Sequence, residues 1–339
     1  MNSFERIVAT IKDEETDKRA FTATLSHYGS KYCGATNQEY YQNPEIYSKG
    51  QIVISEIFEP DVLFGPFALA LIGKAFGAEL KFYPDRPPMF RKPLIQSVDD
   101  LLKFPYPDIN SDPDLMYLRN CIKLLATHFH KTVPVAAVSL NPVDLPIMIF
   151  GMEKWLEIFL FEKEGFKKTM EYIVPFFVEF TNALIADGAA CVIMPTVFAN
   201  SNSVTRQQTV DIVNPVLKSA FSMINGALVV HHGGVPFLSY FDTYKDFPEN
   251  VIGFAMDWTD NYSTARNIIG KDRVILFGIE GPSLYTKQKE QVKEKCLDIL
   301  KTTKADKKHI LFTCSSDVLC QTPEENIHAM REAVNEFYN

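Results

Sequence analysis

The stretch Val229-Val-His-His-Gly-Gly-Val-Pro-Phe237 ends an apolar run on two adjacent histidines and leads at once into two glycines. An imidazole can ligate a metal, act as a base or donate a hydrogen bond, depending on which ring nitrogen holds the proton. Gly233 and Gly234 permit a tight turn or the close approach of a ligand. The plainer reading is a strand end, with one ring bonded to backbone and the other in water. Alternation along a strand turns only one of His231 and His232 inward. Asp257, Glu280, Cys314 and Asp317 follow other apolar runs in the same way. His231 or His232, with Cys314 and one carboxylate from Asp257, Glu280 or Asp317, would make a three-ligand site with an open position, the pattern of a catalytic zinc. Glu280 should meet a cation or serve as an acid or base, because an unpaired carboxylate at a strand end is costly to bury. His27, Tyr28, Asn141 and Asp257 are the candidates for orienting a substrate.

Elements that would bring these residues together recur along the chain. Eight short β-rich apolar runs are separated by stretches of helical spacing: Phe21–Leu25, Asp61–Phe64, Val133–Ser139, Cys191–Met194, Ala227–His232, Val251–Met256, Val274–Ile279 and His309–Cys314. Helical segments are expected over Glu153–Ala186, Thr205–Ile224, Lys287–Lys301 and Pro323–Phe337. Eight strands alternating with helices predict an α/β fold, a (β/α)8 TIM barrel, whose chemistry lies at the carboxyl ends of the strands. The residues falling there are polar: Ser26 and His27, Ser139 and Asn141, Thr196, His231 and His232, Asp257, Glu280, Cys314 and Asp317. No linker or repeat divides residues 1–339, so a single domain is expected. Residues 66–132 form an excursion whose proline-rich piece Tyr83–Pro93 would cover one barrel mouth.

Composition narrows the partners. Lys plus Arg total 34 against 42 for Asp plus Glu, a formal net charge of -8, which argues against a broad nucleic-acid or anionic-lipid surface. No run approaches the length of a membrane span and the first residues lack a signal-peptide pattern, so a cytoplasmic location is expected. The six cysteines are expected to be reduced, with Cys121, Cys191 and Cys296 as plain core or helix residues.

Phe254-Ala-Met-Asp-Trp-Thr-Asp260, Ala265-Arg266, Val274-Ile-Leu-Phe-Gly-Ile-Glu-Gly-Pro282 and Thr322-Pro-Glu-Glu-Asn-Ile327 resemble, in order and spacing, the second half of the uroporphyrinogen decarboxylase superfamily. Ala75–Glu79, Ser97–Leu102, Pro107-Asp108 and Asn141-Pro142 leading to Gly151-Met-Glu153 extend the resemblance upstream. It implies the same barrel. The decarboxylase branch carries Arg-Gln-Ala-Gly-Arg after its first strand and an aspartate after its second, where this chain has Ser26–Lys31 and Gly65-Pro66. Resemblance therefore points to the corrinoid-dependent methyltransferase branch, including methylcobamide:coenzyme M methyltransferases and demethylating enzymes of one-carbon metabolism. It implies transfer of a methyl group between a small methylated substrate or thiol and the cobalt of a separate corrinoid protein, since no Asp-x-His-x-x-Gly corrinoid signature occurs here. Zinc-bearing members place a histidine and a cysteine two residues apart after strand five and a cysteine after strand eight. Here those positions are His231, Gly233 and Ser316, with Cys314 two residues before the last. The expected catalytic set is His231, Glu280 and Cys314, and the expected metal ligands are His231 and Cys314, with His232 and Asp317 as alternates. A lyase acting on a small carboxylated substrate and a non-catalytic binding barrel are the alternatives.

Overall fold

The computed structural model describes residues 1–197, 201–314 and 317–338. Its strands, in chain order, are β1 (Phe21–Thr22), β2 (Leu63–Phe64), β3 (Glu79–Lys81), β4 (Met89–Lys92), β5 (Val135–Val138), β6 (Cys191–Pro195), β7 (Leu228–His231), β8 (Val251–Ala255), β9 (Val274–Ile279) and β10 (His309–Thr313). All but β3 and β4 lie in one parallel sheet, in the order β1-β10-β9-β8-β7-β6-β5-β2. Each of the eight apolar runs supplies one of these strands. The architecture is the expected (β/α)8 barrel.

Alternation decides the layers. Phe64, Val138, Ile193, Val229, Leu276 and Phe312 pack together inside the barrel, while Val192, Val230 and Phe254 join the large cluster formed with the surrounding helices. The helix Ser3–Ile11 closes the amino end of the barrel. It starts with a reciprocal cap between Asn2 and Glu5 and packs Ile7 against the inner cluster. A space of about 70 Å³ remains there, lined by groups such as Ile7, Ile193 and Leu276. The interior is thus a packed core, and chemistry is left to the carboxyl end.

β1 and β2 are too short to form a ladder with each other. Their seam is closed by the Asp61 N–H on the Phe21 carbonyl at 2.7 Å, the Phe21 N–H on Asp61 Oδ2 at 2.8 Å, and Thr22 Oγ1 on the Val62 carbonyl at 2.8 Å. Arg6, on the amino-end helix, pairs with Asp61 Oδ1 at 2.5 Å, both side chains being buried.

The excursion contains the antiparallel pair β3–β4 and the helices Ala70–Ala75, Val98–Lys103 and Pro113–Phe129. Asn37 donates to the Tyr83 and Arg86 carbonyls at 2.5 and 2.6 Å, holding the proline-rich turn near the end of β1. Two helical segments differ from expectation. Glu153–Ala186 is two helices, Met152–Phe161 and Lys163–Ala186, because Trp155 and Phe159 fold back onto Phe166 with ring centroids 5.7 and 5.5 Å apart. Thr205–Ile224 carries a π-helical turn at Thr209–Val213 before Asn214–Ser222. Pro215 cannot donate to the α-helical ladder, and the wider turn accommodates it.

Replacing Asp61 with Ala should open the β1–β2 seam by leaving the buried Phe21 N–H without its acceptor, while Arg6 keeps its pair with Asp17, costing about 1–3 kcal/mol. Urea unfolding of Asp61→Ala against wild type measures it, and Asp61→Asn should lose less because it keeps an acceptor for Phe21.

Candidate active site at the carboxyl end of the barrel

The sheet's bonding runs one residue past several strand ends and places the polar residues there. The N–H groups of Ser139, Thr196, His232, Met256 and Cys314 bond to the carbonyls of Ile193, His231, Ala255, Leu276 and Ile279. Thr196 Oγ1 also donates to the His231 carbonyl at 3.0 Å. His231, His232, Asn141 and Thr196 are no more than 3% exposed.

His231 continues the inward alternation of Val229 and meets the Phe312 ring edge-on, with centroids 6.1 Å apart. His232 does not turn away into solvent. Its ring stacks on that of His231 at 4.3 Å and 25°. The glycines explain how. Gly233 and Gly234 have φ values of 65° and 93°, and the left-handed turn they make aims both N–H groups back at the rings: Gly233 N–H at His231 Nδ1, 3.1 Å, and Gly234 N–H at His232 Nδ1, 3.0 Å. A neutral imidazole that accepts at Nδ1 carries its proton on Nε2. His232 Nε2 is buried and bonds to no described group. Burial holds the His232 ring down to about 4, an effect that the Asp257 carboxylate and the Val235 backbone only partly offset.

Asp257 Oδ2 lies 3.5 Å from His232 Nδ1, and Asp257 Oδ1 accepts from the Thr259 N–H at 2.9 Å and the Thr259 hydroxyl at 2.5 Å. Asp260, to which the sequence reading assigned no role, ties the two loops together. Its carboxylate accepts from the N–H groups of Phe237 and Leu238 at 2.9 and 3.0 Å, and of Asp257 at 3.2 Å. Burial raises its carboxyl above the usual range. The signal for it was the i, i+3 aspartate pair in Asp257-Trp-Thr-Asp260.

The other candidates separate. Cys314 points inward with Phe312, and its Sγ takes the Gly278 N–H at 3.1 Å. Burial drives its thiol up, and the negative charges of Asp257, Asp260 and Glu280 push the same way. Glu280 meets the cation foreseen for it, Lys295 Nζ at 2.5 Å, and also bonds Ser283. Lys295 in turn lies 5.3 Å from the Trp258 ring centroid. Burial would raise Glu280, but these hydrogen bonds outweigh it and leave the carboxyl below its ordinary value.

His27 forms a second polar group with Tyr41 and Asp317. Its Nδ1 lies 3.1 Å from the Tyr41 hydroxyl, and its backbone N–H donates to Asp317 Oδ2 at 3.0 Å. Burial lowers the ring to about 4, partly opposed by Asp85. Burial also raises the Asp317 carboxyl well above the usual range. Tyr28 and Asn141 go elsewhere. The Tyr28 ring packs in the outer layer edge-on to Phe58, and its hydroxyl donates to the Thr322 carbonyl at 2.6 Å. Asn141 caps its own loop, accepting from the N–H groups of Val143 and Asp144 and donating to Asp144 and the Pro195 carbonyl. Ser316, the third position of the zinc pattern, lies outside the described residues.

Among the described residues no three His, Cys, Asp or Glu side chains are grouped so as to hold a metal ion. The chemistry of the imidazole donors agrees: both Nδ1 lone pairs are taken up by backbone N–H groups. A Cβ on Gly233 would sit 2.3 Å from the Thr196 carbonyl oxygen. This donor set does not fit a resident zinc ion.

The fold and site define a (β/α)8 barrel with a buried imidazole pair at its carboxyl mouth. The profile of the family Uroporphyrinogen decarboxylase (URO-D) matches residues 2–337, and the chain belongs to that family. Its structure is similar to that of a methyltransferase from Methanosarcina mazei, with TM-score 0.84, 17% identity and 100% of each chain covered. It is more distantly similar to a B12-independent methionine synthase from Shewanella sp. W3-18-1 in complex with selenomethionine, with TM-score 0.56, 14% identity, 89% of this chain and 90% of that one covered. A putative vitamin-B12 independent methionine synthase from Listeria monocytogenes gives TM-score 0.54 and 10% identity, with 94% of this chain and 97% of that one covered. At these identities the likeness establishes a shared fold. No curated protein sequence matches the chain. Among the described residues no helix is long and apolar enough to cross a membrane.

Two outcomes follow from this geometry. The depressed values of His27 and His232, about 4 against 6.5, mean that the unfolded chain binds more protons at mildly acid pH. Stability should therefore be complete above pH 6.5 and decline as pH falls toward 4, each ring contributing up to about 3 kcal/mol. Urea unfolding as a function of pH measures the slope, which His27→Gln should reduce. Gly233→Ala should lose about 2–4 kcal/mol, combining a left-handed backbone with a clash against Thr196, and the same unfolding assay reads it.

Proposed function

We propose that this chain is a corrinoid-dependent methyltransferase, moving a methyl group between a small methylated substrate or thiol and the cobalt of a corrinoid carried by a separate protein. The observation that carries the reading is the buried imidazole pair His231–His232, held by the Gly-Gly turn at the mouth of a barrel whose family match spans residues 2–337. The likeness of its barrel to the Methanosarcina mazei methyltransferase supports the same reading.

The chemistry asks for polarisation rather than for a strong base. A methyl group bound to oxygen, sulfur or nitrogen is a poor electrophile until its heteroatom is drawn on by a hydrogen-bond donor or a charge. His232 is the donor in this proposal, His231 supports its ring by stacking, and Asp257 with Asp260 fixes the loop that carries it. Burial keeps water from competing for the donor. The lyase alternative asks for arginines around the mouth to hold carboxylates. Arg6, Arg19, Arg119, Arg266 and Arg273 bond instead to carboxylates and carbonyls near the amino ends of the strands, and Arg86 and Arg206 on the carboxyl side are paired with Asp85 and Asp242.

The purified protein, mixed with cob(I)alamin and a panel of methyl ethers, thioethers and methylamines, should convert the corrinoid to its methylated form with at least one donor class, read by the change in visible absorbance. His232→Ala should lower the rate by about 10²–10³, the loss typical of removing one donor to developing charge. A wild-type protein that leaves every donor untouched, beside an active control enzyme, would sink the reading.

A further inference from the structure

We infer that the His231-His232-Gly233-Gly234 turn does without zinc and works as a fixed hydrogen-bond donor, His232 Nε2–H binding the heteroatom of an uncharged methylated substrate: an ether or a thioether. The inference rests on the methyltransferase reading and narrows it to methyl donors, away from thiol acceptors.

Four observations combine. First, both rings accept a backbone N–H at Nδ1, at 3.1 and 3.0 Å, so each neutral ring holds its proton on Nε2 and has no lone pair there for a metal. Second, the turn that enforces this excludes a thiolate at position 233, because φ is +65° and a Cβ would lie 2.3 Å from the Thr196 carbonyl oxygen. Third, His232 is 2% exposed and its Nε2 bonds to no described group. A buried N–H without an acceptor is destabilising and calls for a partner, the role assigned here to the substrate heteroatom. Fourth, Asp257 Oδ2 lies 3.5 Å from Nδ1, so the carboxylate is engaged with that nitrogen and not with Nε2.

These features decide the substrate class. A thiol acceptor must lose a proton, and both imidazole lone pairs that could take it are already occupied by Gly233 and Gly234. A methyl donor needs the opposite. As transfer proceeds, the carbon–heteroatom bond breaks and its electron pair stays on the heteroatom, where the Nε2–H hydrogen bond strengthens. A corrinoid on the partner would accept the methyl group, its cobalt(I) supplying the electron pair of the new bond. His232 keeps its proton, and an alkoxide or thiolate leaving group is protonated afterwards by water.

Selective ¹⁵N-histidine labelling of the full chain, with His231→Gln and His232→Gln variants for assignment, reads the tautomers directly. Both rings should show an unprotonated Nδ1 and a protonated Nε2 at neutral pH, and calorimetric titration with zinc should show no stoichiometric site. A proton on Nδ1 of either ring, or one zinc per chain lost in His231→Ala, overturns the inference. In the donor assay His232→Gln, whose amide can still donate, should keep about tenfold more kcat than His232→Ala at similar KM, and equal losses overturn the donor role. Zinc-dependent transfer to a thiol would keep the methyltransferase reading and overturn the inference. Nε2–H rings in a zinc-free protein that demethylates no donor would overturn the methyltransferase reading and the substrate class with it, leaving the hydrogen-bond-donor geometry standing.

Discussion

The barrel depends on how its first two strands are joined. β1 and β2 contribute two residues each, too few for a ladder, and the Asp61 carboxylate substitutes for one by accepting the Phe21 N–H while it pairs with Arg6. Taking that carboxylate out of water is costly, and the cost is offset only because a guanidinium and a backbone N–H meet it together. Closure here also sets the carboxyl end of the seam. Tyr47 Oη lies 2.8 Å from the Phe64 carbonyl and 3.1 Å from Ser26 Oγ, and Asp317 takes the N–H of His27. One line of polar contacts therefore runs from the amino-end helix to the mouth and fixes where His27 stands.

On the opposite wall the same problem, a polar group at a strand end cut off from water, is solved by local chain geometry. The two glycines return the backbone onto the two histidines that precede them, so that four consecutive residues determine both ring positions and both tautomers. Asp260 supplies the long-range part by holding Phe237 and Leu238 to the loop after β8. The result is a rigid, dry donor rather than a flexible ligand set, and preorganised donors of this kind supply much of the transition-state stabilisation in enzymes that move charge.

The comparison with the Methanosarcina mazei methyltransferase illustrates how far sequence and fold can part. The barrels coincide over their full lengths at 17% identity, because apolar alternation and parallel closure tolerate extensive substitution among residues of similar volume. Site chemistry tolerates much less. A single residue such as Gly233, whose conformation and contact with Thr196 exclude a side chain, changes which ligands the mouth can present.

Much of this molecule was legible in the sequence. Short β-rich apolar runs marked all eight barrel strands, since burial on both faces leaves a short continuous hydrophobic signature. Strand ends then located His231, His232, Asp257 and Cys314 at one mouth, and the cost of burying an unpaired carboxylate called for either a cation or an acid–base role at Glu280, of which the structure supplies the cation, Lys295. Contacts distant in sequence were not legible. Tyr28 and Asn141 sit at strand ends like the others, yet one is drawn into the outer core by Thr322 and Phe58 and the other is consumed by its own loop and Pro195. Alternation placed one histidine inward and the other outward, but the left-handed turn stacked both. Sequence determined the strands because hydrophobic burial follows a local period. Only the tertiary structure decided which polar atoms remain open to a substrate, because a hydrogen bond depends on direction and on a partner the local pattern does not contain.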